Sequence, residues 1–284
     1  MREKLKATLR CLFRLIQTVR RRSSFVSMFT ILQRLEPLPD FPNSQCSDSQ
    51  FLELTLHGAR TTYTDLSNLL SIPIVELANL SDFLITEDHD VTASETIFSQ
   101  VFKRHGSDKS SVHNYHQVYS RIFQEIKLED PSILEIGLGT NNSSVPSNMG
   151  RRGKPGASLR AWKELFPGSQ IVGADIDSSI LFQEQNIVTY QLDQTSLESW
   201  KSFIGALGHR KFNLIIDDGL HSPSANLKTL LFSLDLLDHH GFLVIEDIHP
   251  RTLPVWSIAL SSLKQSQRYW FLQTASALCL VVQS

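Results

Sequence analysis

The stretch Pro131-Ser-Ile-Leu-Glu-Ile-Gly-Leu-Gly-Thr140 decides the fold. A proline closes the segment before it, a short β-rich apolar run follows, and two glycines come where the run ends. A buried parallel strand hands over to a helix in this way at the carboxyl edge of an open α/β sheet, the edge where such sheets bind ligands. Downstream the pattern repeats. β-rich runs at Gln170–Ala174, Ile187–Leu192, Phe212–Ile216 and Gly241–Ile245 are separated by helical patterns at Ala157–Phe166, Ser178–Glu184, Leu197–Leu207 and Ser224–Leu237. Two last runs, Arg268–Gln273 and Ala277–Val282, lie too close for a crossover helix and must pair antiparallel, as a hairpin at the sheet's end. The expected fold is α/β: a Rossmann-like seven-stranded sheet with helices on both faces and an antiparallel last strand.

Working back toward the N-terminus, residues 97–126 read as two helices around the polar turn Gly106–His113. Residues 51–90 read as a small, mostly helical accessory region, and three prolines between Pro37 and Pro42 mark a linker before it. Residues 1–22 carry eight basic side chains against Glu3, so they are +7 while the rest of the chain is −9. Their apolar residues recur at helical spacing. This basic amphipathic helix either lies on an anionic surface or partner, or packs on its own domain. The organisation expected is therefore a basic helical segment at 1–36, a linker and accessory region at 37–96, and the α/β domain at 97–284.

Composition narrows the class further. A chain of 284 residues, 41% hydrophobic and 20% charged, buries a real core and lacks the signature of disorder. Cys11, Cys46 and Cys279 are widely spaced, which suits neither a disulfide framework nor a thiolate zinc site. Arg10 and Arg14 interrupt the first apolar stretch, against a secretory signal, and no apolar run reaches the roughly 18 residues of a spanning helix. The expectation is a cytoplasmic protein, with peripheral membrane contact through residues 1–22 left open.

The strand ends carry the chemistry. Glu135, Gly137 and Gly139 stand at the C-terminal end of the first strand, where glycines either make a simple turn or let the backbone approach a ligand. A dinucleotide site would want a third glycine, and Asn142 and Ser143 stand there instead. Asp175, ending the second strand, suits a ribose diol, while Asp193 and Gln194, ending the third, offer a carboxylate and an amide to an adenine edge. Each is alternatively a polar strand end. Together they describe an adenosine pocket without a pyrophosphate clamp.

The fourth and fifth strands end in Asp217-Asp218-Gly-Leu-His221 and Glu246-Asp247-Ile-His249. Neighbouring strands lie about 4.8 Å apart, so these carboxylates would crowd unless protons or a cation relieve them. Oxygen-rich ligation of this kind suits Mg²⁺ or Mn²⁺. In the competing reading Asp217 and Asp218 cap the next helix while Glu246 and Asp247 face solvent.

These stretches, with Phe102-Lys-Arg-His-Gly-Ser-Asp-Lys109, His113, Tyr115 and Gly156-Ala-Ser-Leu-Arg-Ala-Trp-Lys-Glu-Leu-Phe-Pro167, resemble a known family over roughly residues 98–284. It is the metal-dependent class I S-adenosylmethionine methyltransferases, similar to the macrolide-sugar O-methyltransferases of the mycinamicin and tylosin pathways. The resemblance implies S-adenosylmethionine as cofactor, contacted by Glu135, Gly137, Gly139, Asp175, Asp193, Gln194 and Asp217. It implies Mg²⁺ or Mn²⁺ on Asp218, Glu246 and Asp247, and His221 as general base. The acceptor implied is a hydroxyl of a sugar or glycosylated small molecule. Nucleic acid is not an expected partner, and a homo-oligomer is left open.

The loop Thr140–Pro155, with Arg151, Arg152 and Lys154, is longer and more basic than in the sugar-modifying members, so acceptor identity does not carry over. His113, Tyr115 and His116 belong either to the site or to helix packing, while Trp162, Phe166, His239 and His240 read as core and capping residues. Two other classes compete. A nicotinamide-dinucleotide dehydrogenase is disfavoured by the missing third glycine and the acidic crowding. A non-catalytic binding protein on the same fold is opposed by the intact Asp218, His221, Glu246 and Asp247 set.

Overall fold

The computed structural model describes residues 47–83, 91–275 and 277–284. The basic segment expected at 1–36 lies outside the described residues, as does most of the proline-marked linker. The chain divides into two units, Met1–Ser71 and Ile72–Ser284. In the first, helix α1 (Asp48–Leu69) starts from a capping box: the Ser47 hydroxyl accepts from Gln50 N–H, and the Gln50 side chain accepts from Ser47 N–H.

The second unit runs β1 (Ala78–Asn79), α2 (Val91–His105), α3 (Tyr115–Ile126), β2 (Ile133–Ile136), α4 (Ala157–Leu165), β3 (Ile171–Asp175), β4 (Gln183–Glu184) and β5 (Ile187–Gln191). It continues with α5 (Leu197–Leu207), β6 (Phe212–Asp217), α6 (Pro223–Ser233), β7 (Leu237–Ile248), α7 (Leu253–Leu260), β8 (Arg268–Gln273) and β9 (Leu278–Gln283). All strands join one sheet in the order β1-β8-β9-β7-β6-β2-β3-β5-β4. The seven strands expected from the sequence are present, and two-residue strands β1 and β4 extend the edges.

β2, β3, β5, β6 and β7 are mutually parallel, while β9 runs against both of its neighbours. The reversed strand is thus the last one, as expected, but it inserts between β7 and β8 instead of closing the edge. Its residues explain this: every position of β9 is buried, whereas β8 exposes Arg268 and Tyr269 and suits an outer place. Two other expectations are corrected. Ser178–Glu184 is not a helix but a short 3-10 turn (Ser178–Ile180) followed by the β4–β5 hairpin. The Thr189 hydroxyl holds both Phe182 N–H and Phe182 C=O at 2.6 Å, and Asn186 turns at φ 62°. Helix α6 ends at Ser233, so His239 and His240 are exposed residues of β7 and cap no helix.

Period-two alternation divides the core. Ile133, Leu214, Ile216, Phe242 and Val244 face α2, α3 and α4, with Phe102, Tyr119 and Trp162 among them. Leu134, Ile136, Ile215, Leu243 and Ile245 face α5, α6 and α7, with Trp200, Phe203 and Trp256. The register pairs Ile136 with Ala174 on one side and with Asp217 on the other, and Asp217 with Ile245. One step further along the strands, Gly137, Asp175, Asp218 and Glu246 therefore stand in a row across the carboxyl edge.

Candidate active site

Gly137, Asp175 and Asp218 of that row border a cavity of about 480 Å³, a size suited to a small cofactor or ligand. The glycine loop forms part of its wall. Gly137 and Gly139 stand at φ 95° and 78°, and a Cβ on Gly137 would come 2.0 Å from the Asp218 carbonyl oxygen. Only glycine lets the chain pass this close. Asp175 is tied to the loop: its Oδ2 accepts from Leu138 N–H at 2.7 Å and its Oδ1 from Asp177 N–H at 2.9 Å. Burial lifts its pKa above the ordinary carboxylate range, against those two N–H groups. Thr140 donates to Asp177 Oδ2 at 2.5 Å and closes the loop onto β3.

Gly137, Gly139, Asp175, Asp193 and Gln194 all line the cavity, while Glu135 and Asp217 lie behind its wall. The Gln194 amide is already committed. It donates to Asp217 Oδ1 at 2.7 Å and Thr229 Oγ1 at 3.0 Å, and its oxygen accepts from Leu220 N–H at 2.9 Å. Fully buried Asp217 also accepts from Asn226 Nδ2 at 3.0 Å and Gly219 N–H at 3.2 Å. These three side chains brace the Gly219–His221 loop. Glu135, likewise buried, accepts from Trp162 Nε1 at 2.7 Å, which makes Trp162 both core and hydrogen-bond donor.

The crowded carboxylates meet a cation that the sequence reading did not single out. Lys109, on a 3-10 turn (Asp108–Ser110) after α2, is 1% exposed and places Nζ 2.7 Å from both Asp218 Oδ2 and Glu246 Oε2. Glu135 Oε1 is 3.4 Å away. Burial alone would depress the Lys109 pKa, but Asp218, Glu246 and Glu135 outweigh it and hold the ammonium well above its usual value. Burial pushes Glu246 far up and Glu135 up, despite Lys109. Asp218, although burial opposes it, is kept below the ordinary range by Lys109 and His221. The crowding is therefore relieved from within, by the Lys109 ammonium that these carboxylates surround.

Facing the cavity, Asp218, His221 and Asp247 each present a ligand atom, all within 4.8 Å of one another. His221 Nε2 is 3.7 Å from Asp218 Oδ1 and 3.9 Å from Asp247 Oδ2. The two carboxylates, on a cavity wall beside the imidazole, suit a divalent cation bound through oxygen, such as Mg²⁺ or Mn²⁺. Glu246 is turned inward instead, bonded by Lys109 and by the Tyr119 hydroxyl. His221 and Asp247 both adopt left-handed backbone conformations, at φ 55° and 53°.

Tyr115 bonds Asp247, and His113 stacks on Tyr115 with its Nδ1 3.7 Å from Asp247 Oδ1, so both belong to the site's rim. His116 does not: burial depresses its pKa, and it bonds the Lys109 backbone. His249 caps the turn that follows β7 by accepting from Arg251 N–H at 3.1 Å.

No protein-family model matches the chain. Over 154 residues it is 30% identical to the 8-demethyl-8-alpha-L-rhamnosyl tetracenomycin-C 2'-O-methyltransferase of Streptomyces olivaceus, covering 54% of this chain and 38% of that protein. Over 133 residues it is 33% identical to the mycinamicin VI 2''-O-methyltransferase of Micromonospora griseorubida, covering 46% and 30%. The chain thus spans less than two fifths of the length of these curated relatives. Among solved structures, the MycE methyltransferase from the mycinamycin biosynthetic pathway, in complex with Mg and SAH, aligns with a TM-score of 0.44 at 29% identity, covering 53% of this chain and 39% of that one. By sequence the chain is similar, over about half of its length, to these sugar O-methyltransferases.

Proposed function

We propose that the chain transfers a methyl group from S-adenosylmethionine to a hydroxyl of a sugar or glycosylated small molecule, with a divalent cation, Mg²⁺ or Mn²⁺, assisting. One observation carries this reading: a single cavity has the glycine loop and Asp175 on its wall together with Asp218, His221 and Asp247. The names of the relatives, a rhamnosyl 2'-O-methyltransferase and an L-olivosyl-oleandolide 3-O-methyltransferase of Streptomyces antibioticus, support a sugar hydroxyl as acceptor.

The cofactor would supply an electrophilic methyl group, and the cation would supply charge that lowers the pKa of a hydroxyl beside it. The remaining work falls to the chain. Asp175, fixed by Leu138 and Asp177, grips the ribose diol, and the glycine loop lets the cofactor lie against the backbone. Asp218 and Asp247 would hold the cation, and Tyr115 keeps Asp247 in place. His221 Nε2 takes the proton that the acceptor hydroxyl releases, and that oxygen would receive the methyl group in place of the cofactor's sulfur. An in-line displacement of this kind needs held geometry and no covalent enzyme intermediate.

Calorimetry with S-adenosylmethionine, followed by transfer of its labelled methyl to a panel of glycosides, tests the reading. Binding should weaken at least about tenfold in Asp175→Ala, the loss of a bidentate ribose contact. Equal binding by the variant, or preference for a nicotinamide dinucleotide, would overturn it. The +7 charge of residues 1–22 supports a further element, attachment of a cytoplasmic protein to an anionic membrane surface. Each basic residue there contributes about 1 kcal/mol at low salt. Equal sedimentation with anionic vesicles by the full chain and a chain lacking those residues would exclude it.

A further inference from the structure

Lys109 splits the acidic cluster in two. Its ammonium has three protons to donate, and three carboxylates surround it: Asp218 and Glu246 at 2.7 Å and Glu135 at 3.4 Å. On the inner side Glu246 is 1% exposed, with one oxygen on Lys109 and the other on the Tyr119 hydroxyl. On the cavity side Asp218 keeps Oδ1 toward His221, and Asp247 keeps Oδ2 within 3.9 Å of the same imidazole. The turn that carries Lys109 is itself fixed: Gly106 and Ser107 N–H both bond Phe102 C=O at 3.0 Å, and Ser111, Val112 and His113 N–H all converge on Asp108 C=O.

We propose that Lys109 is a positioning residue for the divalent-cation site: it withdraws Glu246 and one oxygen of Asp218 from coordination, so that a cation is held by Asp218 and Asp247, beside His221, and not by the Glu246–Asp247 pair. The inference rests on the reading that this cluster holds a divalent cation. A cation seated on Glu246 would place two positive centres against one buried carboxylate, and Lys109 already satisfies that carboxylate at hydrogen-bond distance.

Mn²⁺ binding to the full chain, followed by calorimetry and by the electron paramagnetic resonance of free Mn²⁺, reads this without any acceptor. Glu246→Gln should bind Mn²⁺ within about twofold of wild type, because the side chain it alters is not a ligand. Lys109→Met frees Glu246 and should bind Mn²⁺ at least about tenfold tighter, and adding Glu246→Gln to it should return affinity toward wild type. Lys109→Arg, which keeps the charge, should stay near wild type. A tenfold loss in Glu246→Gln, or no gain in Lys109→Met, overturns the proposal. Should Lys109→Met fail to fold, Glu246→Gln and Lys109→Arg, both of which retain a cation at 109, decide it. A wild type that binds no Mn²⁺ while Lys109→Met does removes the metal from the proposed function but leaves Lys109 as the occupant of the cluster. If neither binds, both readings fall.

Discussion

Tyr115 and Asp247 hold each other at two points: the phenol donates to Asp247 Oδ1 at 2.8 Å and accepts from the Asp247 backbone N–H at 2.9 Å. Asp247 stands at φ 53°, a left-handed conformation that costs a residue other than glycine about 1–3 kcal/mol. The Tyr115 hydroxyl stabilises that conformation while aiming one carboxylate oxygen. Burial, aided by Glu246 and Asp247, drives the Tyr115 pKa up, so the group remains a phenol that can donate.

Tyr115→Phe removes both contacts without changing the packing of the ring. The variant should lose about 1–3 kcal/mol of stability, the cost of leaving a buried N–H and carboxylate oxygen short of a partner. Mn²⁺ affinity and methyl transfer should fall with it, while S-adenosylmethionine affinity stays near wild type, since Asp175 ends β3, with β6 and β2 between it and β7. Thermal denaturation and calorimetry check this; a Phe variant with wild-type Tm and Mn²⁺ binding would show the clamp to be idle.

Asp217 supports the site without touching its cavity. Asp217→Ala strands the Gln194 and Asn226 amides and the Gly219 N–H at once. Hydrogen bonds to a charged group contribute about 1.5–3 kcal/mol each, so the variant should lose at least about 3 kcal/mol in urea denaturation. Asp193→Ala, which removes only contacts to Thr195, should lose about 1 kcal/mol or less. Similar losses in the two variants would mean that the brace relaxes around the missing carboxylate.

Glu135 makes stability depend on pH. Its folded pKa lies above its ordinary value, chiefly through burial, so the folded chain binds the proton more tightly than the unfolded chain does. Its contribution is fully present below the unfolded carboxylate pKa of about 4.3 and is lost as pH rises through the folded pKa. Glu135→Gln keeps an oxygen for Trp162 Nε1 and cannot titrate. The stability of the Gln variant relative to wild type should therefore increase between about pH 4.5 and pH 7. A difference that is flat with pH, or that moves toward wild type, would contradict the assignment.

Much of this arrangement is legible in the sequence because it rests on local periodicity. Apolar runs of strand length before Gly137, Asp175, Asp193, Asp218 and Glu246 place those residues at one edge, whatever the helices do. Direction is harder. Asp217 and Asp218 are adjacent, yet the first points into the α6 side of the core and the second toward the cavity and Lys109, a division set by the strand's period of two and by partners in distant elements. Lys109 itself is a lone basic residue in a polar turn; its role depends on α2 and α3 bringing that turn over the sheet edge. Ser178–Glu184 misleads for a related reason, since the Thr189 hydroxyl that fixes the hairpin lies beyond the segment whose pattern suggests a helix.

The metal and base roles are separable by experiment. His221 Nε2 faces Asp218 and the cavity, while its Nδ1 is buried without a hydrogen-bond partner, so only Nε2 is placed to receive a proton from a bound hydroxyl. Exhaustive chelation should abolish methyl transfer yet leave S-adenosylmethionine affinity nearly intact, and Mg²⁺ or Mn²⁺ should restore turnover. His221→Ala should lower kcat by about 10² to 10⁴, the usual contribution of a general base. Its Mn²⁺ affinity should fall less than that of Asp218→Asn, because Asp218 and Asp247 remain as carboxylate ligands. Asp218→Asn should lose turnover and Mn²⁺ binding together, with its Tm recorded to account for the weaker partner left to Lys109. Methyl transfer that survives both chelation and Asp218→Asn would assign Asp218 and Asp247 to structure alone, and the His221 variant would then report a base acting on an acceptor hydroxyl that no cation has made more acidic.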